Sequence, residues 1–327
     1  MTPRCWRAIV SDEPTKIEIV PTLAQYLPRV LRAATPGQLD AYKPYWLRAE
    51  EMFGEHKLDE VWPSDILALQ NEVVRTACPR RNGRGGRYAG ETCIRAMRCF
   101  YRLAALDGLI RQEHNPALRV PLPRRLPSPR RGLTIRELVD IQNVVATTGN
   151  DVPLDTKLVR LHIETACRRS GALGLRLSDL DTNSCAVRLH EKFGTVRWQP
   201  ISPTLTAALH EHAVSRGAHR PTDALLRYAD HRPLTERRYD RLWGRVQRAL
   251  PWAGHYGVTA HWLRHTTLTW VERRYGYAVA RAYAGHTDAK GGSTLTYIRA
   301  LPGEVATALS ELTGEAHPLA LDRTSMS

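Results

Sequence analysis

Three stretches of this chain carry side chains that could act on an anion. The first, TACRRSGALGLRLSDLD (165–181), sets Arg168 and Arg169 at the end of an amphipathic pattern. A buried Arg needs an anion or several carbonyls. A phosphate is one candidate, because the guanidinium fork matches two phosphate oxygens. An ion pair with Asp179 or Asp181 is the plainer alternative. The second stretch, HWLRHTTLTWVERRYG (261–276), puts His261 and Arg264 on one helix face and His265 at i+4 from His261. Two histidines so spaced can bind zinc, but the metalloprotease pattern needs a Glu between them, and position 262 is Trp. The charge of Arg264 also opposes a cation, so an Arg and His face suits an anionic substrate. A surface salt bridge is the alternative for Arg264. The third stretch, AGHTDAKGGSTLTYIRA (284–300), holds His286 and, beyond a Gly-Gly break, Tyr297, whose phenol either packs or reacts.

These residues must be positioned by a largely helical frame. Thr134 with Glu137 predicts a capping box, followed by an apolar face of Leu138, Ile141, Val144 and Val145 that stops at Gly149. A helix over about 155–168 and a short one over about 170–175 come next. CAVRLHE and TVRWQPIS alternate like strands, with Lys192, Phe193 and Gly194 between them, so a hairpin is expected with Lys192 at its turn. Ser202-Pro203 opens a helix ending at Gly217, and another is expected over 235–250. Thr259 caps a helix to about 275, and a short helix ends near Gly285. A final pair of helices lies beyond the Gly-Gly break.

The earlier part of the chain is also helical in pattern. Thr35-Pro36 reads as cap and first turn of a helix, which Pro44 is expected to kink or split. Ser64 is expected to cap a second helix, and a third runs from about Thr92 to Gly108. Between these two lies CPRRNGRGGRYAGE, a Gly-rich loop whose Arg80, Arg81, Arg84 and Arg87 either contact nucleic acid or are simply solvated. Residues 114–132 hold five prolines and read as an extended linker, with Arg124, Arg125, Arg130 and Arg131 solvated or laid along a phosphate backbone.

Composition bounds the possibilities. The 327 residues contain 47 Lys and Arg against 33 Asp and Glu, a net charge of +14 that favours a polyanionic partner. Two domains are expected from the length, and 43% hydrophobic residues suffice for two cores. No run reaches the ~18 apolar residues of a membrane span. The first residues lack the apolar run of a signal peptide. Cysteines 5, 78, 93, 99, 167 and 185 show no zinc-ligand spacing and are expected to be reduced thiols.

In combination the three stretches resemble the tyrosine recombinase (phage integrase) family, over the chain after about residue 20. The order is T-x-x-R…L-x-x-x-D, a hairpin Lys, H-x-x-R-H, G-H and then Tyr. The resemblance implies that Arg168, Lys192, His261, Arg264, His286 and Tyr297 form the catalytic set, with Tyr297 as nucleophile. It implies a mainly α fold with a small antiparallel sheet. A helical core-binding domain (21–113) would precede the basic linker (114–132), a catalytic domain (133–302) and a C-terminal helix and tail (303–327), with 1–20 as a short extension. That extension is too short for the arm-type domain of some integrases. The implied activity is cleavage and rejoining of duplex DNA through a 3′-phosphotyrosine, by a homotetramer on paired sites and a monomer or dimer on single sites. No metal, cofactor or membrane is expected, and the location is the bacterial-type cytoplasm. The alternatives are a non-catalytic DNA-binding regulator on the same fold and a type IB topoisomerase-like enzyme.

Two departures from the family pattern stand out. Gly171 replaces the acidic residue usual three positions after the first Arg, so a supporting hydrogen bond is lost or comes from elsewhere. The interval from His286 to Tyr297 is long; Tyr283 is the fallback nucleophile, but it precedes the Gly-His pair and is expected in the core. Beyond the nucleophile, Val305, Leu309 and Leu312 form one apolar stripe, expected to join protomers across Gly303–Leu321.

Overall fold

The computed structural model describes residues 20–77, 86–124, 130–190, 194, 196–285 and 300–321. The chain divides into two compact units, Met1–Leu126 and Pro127–Ser327. Among the described residues no helix is long and apolar enough to cross a membrane.

The first unit is built from α1 (Leu23–Ala33), α2 (Pro36–Phe53), α3 (Pro63–Arg75), α4 (Arg87–Leu106) and the single turn α5 (Pro116–Arg119). Thr22 and Thr35 cap α1 and α2 through reciprocal bonds with Gln25 and Gln38. The core gathers Trp46, Ile66, Leu69, Ile94, Met97, Phe100 and Tyr101, and the Trp46 indole donates to the Ala96 carbonyl at 2.9 Å.

Three expectations for this unit are corrected. The α2 helix runs through Pro44 without splitting, because Trp46 and Ala49 are fully buried on the far side and hold the following turn in place. Trp62, not Ser64, is the N-cap of α3; Pro63 opens the helix and the Asp65 carboxylate accepts the Trp62 amide at 2.8 Å. The α4 helix begins at Arg87 rather than near Thr92. Gly90 lies against α3, where a Cβ would come within 2.8 Å of Val74, so its missing side chain admits close packing.

The expected linker is also only partly extended. Pro116, Ala117 and Val120 are buried, and Arg98 donates to the carbonyls of Ala117 and Val120 at 3.0 and 2.8 Å. Three apolar side chains outweigh the prolines here and dock the segment on α3 and α4.

The second unit comprises α6 (Ile135–Thr147), α7 (Val152–Thr165), α8 (Arg169–Leu173), β1 (Leu180–Asp181), β2 (Ala186–His190), β3 (Val196–Pro200), α9 (Pro203–Ser215), α10 (Glu236–Ala249), α11 (Pro251–Tyr256), α12 (Ala260–Ala284) and α13 (Pro302–Thr313). The sheet is antiparallel in the order β1-β2-β3, with Ala186 opposite Pro200 and His190 opposite Val196. The Thr134–Glu137 capping box forms. Gly276, at φ 79°, breaks α12 where the sequence marked the end of one helix, and Gly285 closes it in the left-handed region. The short strand β1 and the helix α11 carry no clear periodicity and were not expected.

The main core packs α7 at its centre, with Leu154, Leu158 and Leu161 fully buried. A buried ion cluster ties α7 to α10: Asp155 accepts from Arg238 at 2.6 Å and from Arg245 at 2.5 Å. Cys93, Cys99, Cys167 and Cys185 are free, buried thiols.

In the C-terminal segment the apolar stripe is covered within its own chain, the alternative to joining protomers. Val305, Ala308, Val271, Val279 and Tyr283 form one buried cluster, so the α13 stripe is covered within its own chain. Polar contacts fix it there. Glu315 accepts from Arg160 at 2.7 Å and from Thr204, His317 bonds the Cys185 carbonyl at 3.0 Å, and Tyr275 donates to Glu311. The stripe read from the sequence is real, but α12 supplies the surface that covers it.

Candidate active site

The site starts at the end of α7. Ala166 turns the chain with φ 50°, an uncommon value for a residue with a Cβ, and its amide still bonds His162 at 3.0 Å. Arg168 then stands at the N-cap of α8. Three consecutive carbonyls before it each take a side-chain donor from elsewhere in the unit. The Tyr283 hydroxyl donates to the Glu164 carbonyl, Arg197 Nη2 to the Thr165 carbonyl at 3.2 Å, and Arg264 Nη1 to the Ala166 carbonyl. Buried helix-end carbonyls require such donors, and here the donors come from β3 and α12. His162 adds a fourth tie, bonding the Cys167 carbonyl at 3.1 Å and the Tyr239 hydroxyl at 2.9 Å.

Arg168 and His261 line one open cleft of about 590 Å³, together with Tyr239, Trp243 and Gln247 of α10 and with Thr259. His261 lies in the first turn of α12, anchored by the buried Trp262 and Leu263 behind it. The positive end of that helix therefore faces the same cleft, a favourable setting for an anion. Although the residue is exposed, desolvation by the surrounding chain, and then the charges of Arg130, Arg264, His265 and Arg168, hold the His261 imidazole below its usual pKa. That favours the uncharged form, the one able to accept a proton.

Arg264 does not line the cleft. It is 4% exposed, and its second Nη donates to the Ala284 carbonyl at 2.8 Å. It thus joins the corner before Arg168 to the end of α12. Tyr283 is fully buried, and burial pushes its phenol pKa up, so the fallback nucleophile belongs to the core. Lys192, His286 and Tyr297 lie outside the described residues, as do Arg80, Arg81, Arg84 and Arg125.

The basic residues that are described differ in their surroundings. Arg87, Arg124 and Arg130 are exposed. Arg131 is not simply solvated: it grips Glu137 through two bonds at 2.5 and 2.6 Å and lies over the Tyr256 ring at 5.7 Å. That grip holds the Glu137 carboxyl down at about 2. Nor do the carboxylates proposed for Arg168 and Arg169 serve them. Asp179 takes Arg188 at 2.8 Å and His190 at 3.3 Å, Asp181 caps the turn at Asn183, and Arg169 pairs with Glu236 at 2.9 Å.

Gly171 is buried where α8 meets β2. A Cβ there would meet Leu189 at 3.7 Å and the His190 carbonyl at 3.8 Å, ordinary contacts. Among the described residues, the corner is instead secured by the donors on carbonyls 164–166. Sequence reasoning missed Arg197 and Tyr239 as parts of this frame. Side chains bonding to backbone leave no pattern of spacing, and the only available signal was the amphipathic face of α10.

The Phage integrase family model matches residues 133–302. Tyrosine recombinase XerD of Mycobacterium tuberculosis is 33% identical over 240 residues, covering 69% of this chain and 72% of that protein. Tyrosine recombinase XerC of Mesorhizobium japonicum is 27% identical, covering 79% of this chain and 81% of its own. Among solved structures, a lambda integrase tetramer bound to a Holliday junction aligns with TM-score 0.62 at 16% identity, covering 88% and 79% of the two chains. The Tn1549 transposon integrase in complex with transposon right end DNA aligns with TM-score 0.66 at 16% identity, covering 89% and 98%. This chain belongs to the phage integrase family, the tyrosine-type site-specific DNA recombinases.

Proposed function

We propose that the chain binds double-stranded DNA and exchanges strands at paired sites as a homotetramer, loading onto single sites as a monomer or dimer. It acts in the bacterial cytoplasm and needs neither metal nor cofactor. The Tyr297 phenol attacks a backbone phosphorus, its oxygen bonds to phosphorus, and the bond from phosphorus to the 5′-oxygen breaks. His261 accepts the phenolic proton, and Lys192 protonates the departing 5′-oxygen. Arg168 and His286 stabilise the charge on the nonbridging oxygens, and Arg264 serves the same set by holding the corner before Arg168 to the end of α12. A 5′-hydroxyl of the partner strand reverses the step, so the bond energy is conserved without ATP. Arg80, Arg81, Arg84, Arg87, Arg124, Arg125, Arg130 and Arg131 contact the DNA backbone, Arg131 through whatever its pairing with Glu137 leaves free.

The observation that carries this reading is the meeting of Arg168 and His261 in one cleft at a helix N-terminus, within the span matched by the family model. It is tested by single-turnover cleavage of a nicked duplex across pH. A base must be uncharged to accept a proton, and the His261 pKa lies below its usual ~6.5. Cleavage is therefore expected to stay level from neutrality downward until below about pH 6.5, then fall. His261→Asn should cut the rate at neutral pH and remove that acid limb; a limb that persists in His261→Asn assigns the base elsewhere.

The role of Lys192 has its own check. Lys192→Ala is expected to slow cleavage of an ordinary strand strongly and to leave a strand with a 5′-thio leaving group nearly unaffected, because a thiolate departs without a proton. Equal slowing of both would reject the acid role.

A further inference from the structure

We propose that Arg197 is a positioning residue, which sets the end of α12 at Gly285 and locks it to the corner that carries Arg168. Arg197 is absent from the catalytic set, yet it stands where the end of α7 meets the end of α12. From β3 its Nη2 donates to the Thr165 carbonyl at 3.2 Å, and its Nη1 donates to the side chain of the buried Gln199. Those two bonds fix the guanidinium. The stem of the same side chain then lies across Gly285, where a Cβ would fall 2.4 Å from both Cδ and Nε.

Gly285 is the residue bonded to His286, and it closes α12 with φ 66°. Its hydrogen side chain is required twice, by that backbone conformation and by Arg197. A larger residue there forces Arg197 or the Gly285 backbone to shift. The neighbouring ties act in the same sense, since Arg264 holds the Ala284 carbonyl and Tyr283 the Glu164 carbonyl. Arg197 thus completes a clamp in which β3, the end of α7 and the end of α12 share one arrangement.

This inference rests on the recombinase reading for its catalytic consequence, though the contact itself can be tested without activity. A double-mutant cycle of Gly285→Ala and Arg197→Ala is measured by single-turnover cleavage at saturating DNA, with DNA affinity by mobility shift. Each single variant is expected to slow cleavage with duplex affinity unchanged. The penalty of Gly285→Ala should shrink by roughly tenfold in the Arg197→Ala background, within the coupling seen for residues in contact. Additive losses overturn the proposal. So does an affinity loss that tracks the rate loss, which would make Arg197 a DNA contact. Hydrogen exchange at the amides of 284–285 supplies the readout independent of activity, and Arg197→Ala is expected to speed it. Unchanged protection there overturns the clamp. Absence of cleavage by the parent protein would count instead against the recombinase reading, with the exchange result still deciding the clamp.

Discussion

Tyr297→Phe is expected to abolish the covalent protein–DNA adduct while leaving duplex affinity within about twofold. In the proposed reaction the removed oxygen is the atom that bonds to phosphorus, so no other change in the site can compensate for it. The affinity is spread over many Arg side chains, since 41 of the 47 basic residues are Arg, and a neutral ring edge contributes little to it. Adduct formation on a nicked duplex, read by denaturing gel, checks the rate, and a mobility shift checks binding. An undiminished adduct would move the nucleophile elsewhere. Tyr283 is a poor replacement, because it is fully buried and its hydroxyl donates to the Glu164 carbonyl.

The two arginines of the site should separate by what else they lose. Arg168→Ala is expected to lower the cleavage rate by about 10²–10³, the scale for removing one donor to transition-state charge. Its thermal stability should barely change, because Arg168 is only half-buried and lines an open cleft. Arg264→Ala should lose cleavage to a similar degree and stability as well. Its guanidinium is buried, and the carbonyls of Ala166 and Ala284 would be left without that donor. A buried acceptor without a partner costs about 1–3 kcal/mol, so roughly 2–6 kcal/mol in all. For a unit of this size that is on the order of 5–20 °C in melting temperature. Melting curves beside cleavage rates decide the matter. An Arg264→Ala protein that melts like the parent would mean that the two carbonyls are satisfied by other groups and that Arg264 acts on substrate alone.

Much of this arrangement is legible in the residues themselves. Gly276 and Gly285 each stand where a helix must stop, so α12 was readable to within a residue or two. Alternation around Lys192 marked β2 and β3, and the capping residues Thr134 and Ser202 placed α6 and α9. Spacing alone put His261 and Arg264 on one helix face.

What spacing does not carry is the direction in which a charged side chain turns. Arg168 and Arg264 belong to one motif series, yet one lines the cleft and the other is drawn inward by two helix-end carbonyls. One of those carbonyls is turned out where Ala166 bends the chain, and an alanine at a left-handed corner has no signature. The α13 stripe illustrates the same limit. Its apolar face was evident, but the surface of Val271, Val279 and Tyr283 that covers it is set by tertiary packing.

The most direct test of the central claim is the chemical identity of the trapped adduct. The parent protein is incubated with nicked duplexes of randomised core sequence, in EDTA and without ATP, and the covalent product is digested and sequenced by mass spectrometry. The expected result is a single DNA-linked peptide carrying Tyr297 joined to a 3′-phosphate. A 5′ linkage, a link through a different residue, or no adduct on any duplex bound by the protein would contradict the account.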